Sequence, residues 1–494
     1  MESNLNGHLP LDRLDRLDNF GHSMMSASYL YRPTRTEQVA ELFELARQRG
    51  TPVTFRGSGR SYGDASLNAG GIVVDIRRMN RILEWNPETG VIKMEPGVTI
   101  QQLWQHILED GWWPPVVPGT MLPTIGGCLG TNVHGKNNWQ RGTFGEQVIE
   151  FTVLLPTGQE VTCTPDDEGS LIGGKAPTPQ NLDFSRQIPK SHDELFYAVI
   201  SSLGMLGMVA SVTMQMKRVY SGNLWVSAWT EPGLERMLAA ADRGKDENDY
   251  VVGWLDCTAG GGRLGRGQMH SADYLAPGED PAPAQTLRID RQALPDTFFG
   301  LVPKSILYKF MRPFMSNPGV WAINTTKYLA NNTIGNHKRC QQSHVAFNFL
   351  LNYIPNWELS YGRGGMIQYQ CFIPKETAFD AFTEMIKLGL KRRLPSYLGV
   401  LKRHRPDKFL LTHAVDGYSF AQDYRVAKSN RIVLEAGGRF YFAKDSTISS
   451  ETVHAFMGEE RIQKFRTLKA ICDPDGVLES DLYRRCFGPP PYCQ

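Results

Sequence analysis

"RGSGRSYGDASLNAGG", residues 56–71, decides how the first third of the chain is read. Its five glycines stand among small polar side chains, so the stretch cannot build a core. Glycine lets a backbone approach a ligand or another backbone with no Cβ between them, so close approach is the expected use. Short apolar runs flank it, Pro52 to Phe55 before and "GIVVDI" (71–76) after, and both read as strands. A Rossmann dinucleotide site needs Gly-x-Gly-x-x-Gly between a strand and a helix, with an acid about 20 residues further on. Here Tyr62 stands where the third glycine belongs, and Gly63 leads into loop and strand. Asp75 lies at a suitable distance, but the helix N-terminus that would hold a pyrophosphate is missing. A literal match at Gly260–Gly265 follows no convincing strand and opens no apolar-periodic helix. Neither stretch is a Rossmann site.

Working outward, "PGTMLPTIGGCLGTNVHGKNN" (118–138) is a second loop dense in Gly and Thr. "HDELFYAVISSLGMLGMVASVTM" (192–214) sets Gly204 and Gly207 between an apolar segment and a strand. Several loops whose N–H groups converge make an anion-binding concavity without a helix dipole, which points to a phosphate-bearing cofactor. Around the loops, "TEQVAELFELARQRG" reads as a helix with Thr36 as N-cap and Gly50 as stop. Thr99 to Gln102 is a capping-box pattern opening another helix. "VIEFTVLLPTGQEVTC" reads as two strands, "IVLEAGGRFYFAKDS" as a strand from Ile432, and 451–470 as helical. The class is α+β.

The chain has 494 residues, enough for two or three domains, and a net charge of +2, which argues against a nucleic-acid binder resting on a broad basic field. Eight cysteines show no C-x-x-C spacing, and no metal site is expected. The first twenty residues lack a signal-peptide core, and no apolar run approaches the ~20 residues of a membrane span, so a cytoplasmic protein is expected. Residues 164–190, polar and rich in Gly and Pro, read as a surface insertion.

R-G-x-G-R-S-Y-G-D, then P-G-T…T-I-G-G…H-G-K-N, then D-E-L-F-x-A-V…G-M-L-G, resembles the FAD-binding domain of vanillyl-alcohol-oxidase-type flavoproteins. The likeness continues through "GWLDCTAGGGRLGRG", "GMIQYQCFIP", "GGRFYFAKDS" and "DPDGVLESDL", in the same order. Within that family the pattern is most similar to the oxidase subunits of decaprenylphosphoryl-β-D-ribose 2-epimerase. The resemblance implies a two-lobed, PCMH-type FAD domain over 22–220, an antiparallel-sheet substrate domain over 221–435, and a C-terminal segment, 436–494, returning to the FAD domain. It places FAD against Arg56, Gly57, Ser58, Gly59, Arg60, Ser61, Tyr62 and Gly63 of the first loop. From the second loop it adds Gly119, Thr124, Ile125, Gly126, Gly127, Thr131, Asn132 and His134, with Met208 and Tyr441 from elsewhere. Many relatives carry a flavin-linked histidine where this chain has Arg60, so non-covalent FAD is expected; Arg60 either neutralises phosphate or braces the loop.

The flavin carries out hydride chemistry, and the protein must aim the substrate carbon and manage protons. Lys444, read as the end of an apolar strand, is the first catalytic candidate, with His134 and Lys136 next. A histidine suits proton transfer near neutrality, and a loop histidine equally suits a strut. Tyr62 and Tyr441 either stack at the flavin or fill core. Strand alternation puts Gln368 and Gln370 on one face, toward a sugar's hydroxyls or toward solvent. Lys402 either meets a substrate phosphate or belongs to a solvated run with Arg403 and Arg405. Ala421 takes the substrate-site position where mycobacterial members have a cysteine modified by nitroaromatic inhibitors, so no covalent adduct of that class is expected.

The implied reaction oxidises the 2-hydroxyl of a polyprenylphosphoryl-β-D-ribose, the first half of an epimerisation to arabinose for cell-wall arabinan. An NADH-dependent short-chain reductase would complete it. Two alternatives are an alditol or aldonolactone oxidase acting on a free polyol with oxygen, and a flavin-binding protein without turnover. The basic amphipathic stretch 298–315 either covers the active site or rests peripherally on the inner face of a membrane.

Overall fold

In the computed structural model the chain is described over residues 9–165, 193–298, 302–333, 335–362, 364–424 and 430–488. Residues 166–190 of the expected insertion therefore lie outside the described residues.

β1 (Leu14–Asp18) and β2 (Met25–Tyr31) form a hairpin that begins a four-stranded sheet with β3 (Val53–Arg56) and β4 (Ile72–Asp75), in the order β1-β2-β4-β3. β4 pairs parallel to both β2 and β3. Parallel neighbours need crossovers, and α1 (Thr36–Arg49) and the glycine stretch provide them. α1 buries Val39, Leu42, Phe43 and Ala46 in one cluster with Val53, Ile72 and Val74. The expected cap is corrected here: the helix starts at Thr36 itself, with Arg35 at the N-cap making no side-chain bond. Gln38 accepts instead from the Thr34 N–H at 2.7 Å. Gly50 ends the helix in the left-handed region, φ +58°.

β5 (Ile82–Asn86), β6 (Val91–Met94), β7 (Val148–Leu154), β8 (Glu160–Cys163) and β9 (Met208–Gln215) make an antiparallel sheet in the order β5-β6-β9-β7-β8. The two strands expected in "VIEFTVLLPTGQEVTC" are β7 and β8. α2 (Ile100–Ile107) opens with the Thr99/Gln102 capping box and buries Ile100, Leu103, Trp104 and Ile107. α3 (Ile125–Gly130) is capped by Thr124, whose hydroxyl accepts from the Gly127 N–H.

The largest sheet has eight strands: β10 (Asn223–Glu231), β11 (Tyr250–Leu255), β12 (Gly267–Tyr274), β13 (Lys338–Ser343), β14 (Ile367–Pro374), β15 (Gly399–His404), β16 (Gly417–Tyr424) and β17 (Arg439–Phe440). Their order is β13-β10-β12-β11-β15-β16-β14-β17, every pairing antiparallel. α4 (Leu234–Glu247) packs on β11 and β12, α5 (Asn317–Thr333) crosses β10 and β12, and α6 (Lys375–Lys391) covers β14 and β16. On the face of β14 and β16 turned to α6, Cys371 and Phe420 pack against Met385 and Phe382.

The strand expected from Ile432 is a helix, α7 (Asn430–Glu435), followed by two-residue β17 and a turn. Gly437 at φ +68° ends the helix, and a Cβ on Gly438 would lie 2.4 Å from Ile373. The helical stretch beyond divides at Gly458 (φ +81°) into α8 (Ser450–Met457) and α9 (Glu459–Cys472). After α9 the chain rejoins the first sheet: Val53 donates to Val477 O at 2.7 Å, and Glu479 donates back to Val53 O at 3.0 Å. α10 (Asp481–Cys486) follows. No helix among the described residues is long and apolar enough to cross a membrane.

Candidate active site

A cavity of about 1000 Å³ lies between the two glycine loops and the polar face of the eight-stranded sheet. Register builds that face. Gln370 stands opposite Ala421, Gln368 opposite Asp423, and Lys402 opposite Ser419. With a side-chain period of two, Gln368, Gln370 and Phe372 share the face with Ser419, Ala421, Asp423, Lys402 and His404. Arg403 points the other way, to Asp242 at 2.8 Å and Asp416 at 2.7 Å. The "LKRHRP" run is therefore not a solvated charge cluster; it sends Lys402 inward and Arg403 to a paired site behind.

The first loop forms the opposite wall, with Gly57, Ser58, Gly59, Arg60, Ser61 and Tyr62 lining the cavity. Among the described residues the N–H groups of Ser58 to Ser61 have no hydrogen-bond acceptor. A Cβ on Gly57 would sit 2.2 Å from Thr124 Oγ1, so only glycine lets the two loops close to this distance. Gly119, Thr124, Gly126, Gly127, Thr131, His134, Met208 and Tyr441 also line the space. Four expected cofactor residues do not. Arg56 is a brace, donating to Asp18 O at 2.8 Å and Ser66 Oγ at 3.2 Å. Gly63 packs on the Asp445 backbone, where a Cβ would meet the carbonyl at 1.9 Å. Ile125 is core, and Asn132 holds the loop by accepting from Gly145 N–H at 2.9 Å. The bare N–H groups, the absence of side-chain bulk and the volume fit FAD, whose anionic pyrophosphate needs backbone N–H donors and close approach of the chain. Arg60 sits with its guanidinium 5.1 Å over Phe20 and its Nε buried without a partner.

Lys444 lies in the turn after β17, not in a strand, and its Nζ stands 3.8 Å over the Tyr62 ring. Burial is the main cause that pushes its ammonium down to about 7. Asp423, absent from the sequence-based candidates, is 1% exposed and accepts from Gln368 Nε2 at 2.7 Å. Burial raises its carboxyl to about 7, and Lys444 opposes that rise. Its signal was available: Ser419, Ala421 and Asp423 alternate along one strand, and only the middle one had been singled out.

His134 is held at both ring nitrogens. Lys402 Nζ lies 3.4 Å from Nδ1 and the Gln370 amide 3.0 Å from Nε2. A lysine donating to Nδ1 leaves the proton on Nε2, so the Gln370 carbonyl oxygen is the group that must face it. Burial, then the nearby Lys402, keeps His134 well below its ordinary value, while burial lowers Lys402 to about 8. His404 and His413, also missed, ring His134 at centroid distances of 4.8 and 5.6 Å. His404 could have been found two residues after Lys402; nothing in the sequence marks His413. Lys136 donates to Phe347 O and Asn348 O and covers the Phe347 ring, so it ties the second loop to a turn of the outer wall.

One clamp joins these parts. Arg485 of α10 reaches Asp64 at 2.7 Å and Asp445 at 3.1 Å. Asp64 follows Gly63, and Asp445 follows Lys444, so a single guanidinium fixes the first loop against the Lys444 turn.

Residues 27–164 match the FAD binding domain family. Decaprenylphosphoryl-beta-D-ribose oxidase of Mycolicibacterium smegmatis is 29% identical over 462 residues, 90% of this chain and 92% of that protein. D-lactate dehydrogenase of Anaerostipes hadrus is 32% identical over 40% of this chain and 39% of its own. L-gulonolactone oxidase of Bos taurus is 25% identical over 37% and 36%. The matched segment contains both glycine loops that wall the cavity. The chain is an FAD-dependent oxidoreductase, with its FAD binding domain at residues 27–164.

Proposed function

We propose that the protein oxidises a secondary hydroxyl of a lipid-linked sugar, the 2-hydroxyl of a polyprenylphosphoryl-β-D-ribose, to the ketone. The observation that carries this reading is the composition of the cavity lining. Beside the glycine loops its lining is polar, with Gln368, Gln370, Lys402 and Lys444, while Met311, Met315, Val320, Ile323 and Leu350 give it an apolar side. A free polyol has no use for that apolar side. The mycobacterial relative's name supports the same substrate class.

Bound FAD supplies the hydride acceptor. Gln368 and Gln370 hydrogen-bond sugar hydroxyls, and Asp423 orients Gln368. Lys444 takes the hydroxyl proton on Nζ, because a lysine brought down to about 7 is largely neutral at pH 8 yet still basic. His134, locked between Lys402 and Gln370, is a positioning residue. The ketone would pass to a separate NADH-dependent reductase. The protein binds FAD non-covalently in this reading, since Arg60 offers no attachment atom. Acid precipitation should accordingly leave all flavin absorbance in the supernatant, and yellow protein in the pellet would contradict it.

The pH dependence follows from the sign of the Lys444 shift. The base is ineffective as ammonium, so flavin reduction should rise with pH through about 7 and level off above. The Asp423 carboxylate stabilises the ammonium, so Asp423→Asn should move the rising limb to lower pH. Anaerobic stopped-flow between pH 5.5 and 9 checks both; a flat or falling profile removes Lys444 as the base.

Substrate is tested by anaerobic mixing with polyprenylphosphoryl ribose and, separately, with free alditols, following the flavin band. Bleaching by the lipid-linked sugar alone is the expected result. Bleaching by a free polyol would assign the protein to the alditol or lactone oxidases, a branch that the L-gulonolactone oxidase similarity keeps in view.

A further inference from the structure

From Thr297 to Trp357 the chain has no Asp or Glu and six Lys or Arg (304, 309, 312, 327, 338 and 339). The charge of this stretch is therefore one-signed, although the whole chain is nearly neutral. Fifteen large apolar side chains are exposed among the described residues, and seven of them fall between Ile306 and Leu350. Phe310 is 58% exposed, and Phe314, Trp321 and Leu329 are each 53% exposed. They share one region of the fold. Gly319, in the first turn of α5, packs on the Phe314 backbone, where a Cβ would lie 2.4 Å from the carbonyl oxygen.

α5 is built inside out. Its inward positions are largely polar: Asn324 donates to Asp256 at 3.2 Å, Asn331 to Gln268 at 2.6 Å, and Thr325 accepts from Arg266 at 2.9 Å. Trp321, Ile323 and Leu329 face outward instead. A surface helix of a water-soluble protein has the opposite arrangement. An apolar outer face rimmed by cations and tipped by an aromatic residue has the composition of a segment lying in a membrane interface.

We propose that this face, the short helix Leu307–Met311 and the outer side of α5, docks on an anionic lipid surface. Lys309 and Arg312 meet headgroup charge, and Phe310, Phe314 and Trp321 enter the acyl boundary. The surface is continuous with the cavity: Ile323 and Leu350 are exposed and also line it, and Met311 and Met315 line it from the same segment as Phe310 and Phe314. The segment is thus cover and contact at once, with methionines inward and phenylalanines outward. Docking itself is independent of the substrate; passage of a polyprenyl chain from bilayer to cavity rests on the reading given above.

The test is co-sedimentation of the FAD-loaded protein with phosphatidylcholine vesicles, with and without phosphatidylglycerol. Binding should require the anionic lipid, and brominated acyl chains should quench a share of the wild-type tryptophan emission that is lost in Trp321→Phe, since Trp321 is one of ten tryptophans. Lys309→Gln with Arg312→Gln should weaken binding about 30-fold, at roughly 1 kcal/mol per charge. Phe310→Ser, Phe314→Ser and Trp321→Ser together should abolish it while flavin content and reduction by detergent-dispersed substrate stay at wild-type level. The proposal is overturned by equal binding of the triple variant, by no binding to either vesicle, or by a concentration-dependent dimer that the triple variant breaks without any vesicle binding. If vesicles bind but the lipid-linked sugar does not bleach the flavin, the substrate reading fails and the docking surface stands.

Discussion

Lys444→Ala should retain bound flavin and reduce it at least ~10²-fold more slowly with substrate, within the ~10²–10⁴ range of a lost acid–base group. Flavin retention is expected because the Lys444 side chain faces the cavity over Tyr62, while its backbone and the neighbouring Asp445 do the structural tying. Lys444→Arg separates charge from basicity. Arginine stays protonated throughout the accessible pH range, so this variant should also be slow and should lose the rising limb. Rapid-mixing kinetics on flavin-replete protein decides the matter, and wild-type rates in Lys444→Ala would reject the assignment.

Arg485→Met should cost about 3 kcal/mol, because it leaves the Asp64 and Asp445 carboxylates, 3% and 4% exposed, without their shared cation. The lower end of the usual range applies, since Arg485 itself is 23% exposed and water softens the loss. The effect is not only on stability. The clamp sets the distance between Tyr62 and Lys444, so flavin affinity should fall in parallel. Urea unfolding followed by flavin fluorescence measures both. Adding Asp64→Asn and Asp445→Asn to Arg485→Met removes the stranded charges and should recover part of the stability. A single variant as stable as wild type would mean that the ion pairs contribute nothing to holding the loop.

Both predictions turn on parts of the molecule with different legibility. The glycine loops could be read from the chain because their requirement is local: closely spaced glycines and bare N–H groups follow from a dozen consecutive residues. The paired glutamines were legible for a similar reason, since a period of two puts Gln368 and Gln370 on one face of any strand. Periodicity does not say which face is buried. The same rule left Lys402 undecided between a binding group and a solvated run, and only the register of β15 against β16 sends it to His134.

The sequence by itself determined the flavin-binding loops, the α+β class and the residue types available for proton transfer. Tertiary structure decided the rest. Lys444 was expected at the end of an apolar strand, but Asn430–Glu435 is helix, β17 ends at Phe440, and a turn closed by the Lys444 N–H on Tyr441 O delivers the amine to Tyr62. Arg485 and Asp64 are 421 residues apart, and a guanidinium clamp across such a separation leaves no local pattern. Asp423 carried a legible face but not a legible environment. Its shift toward neutrality comes from burial, and burial is made by strands and loops that meet only when the chain has folded.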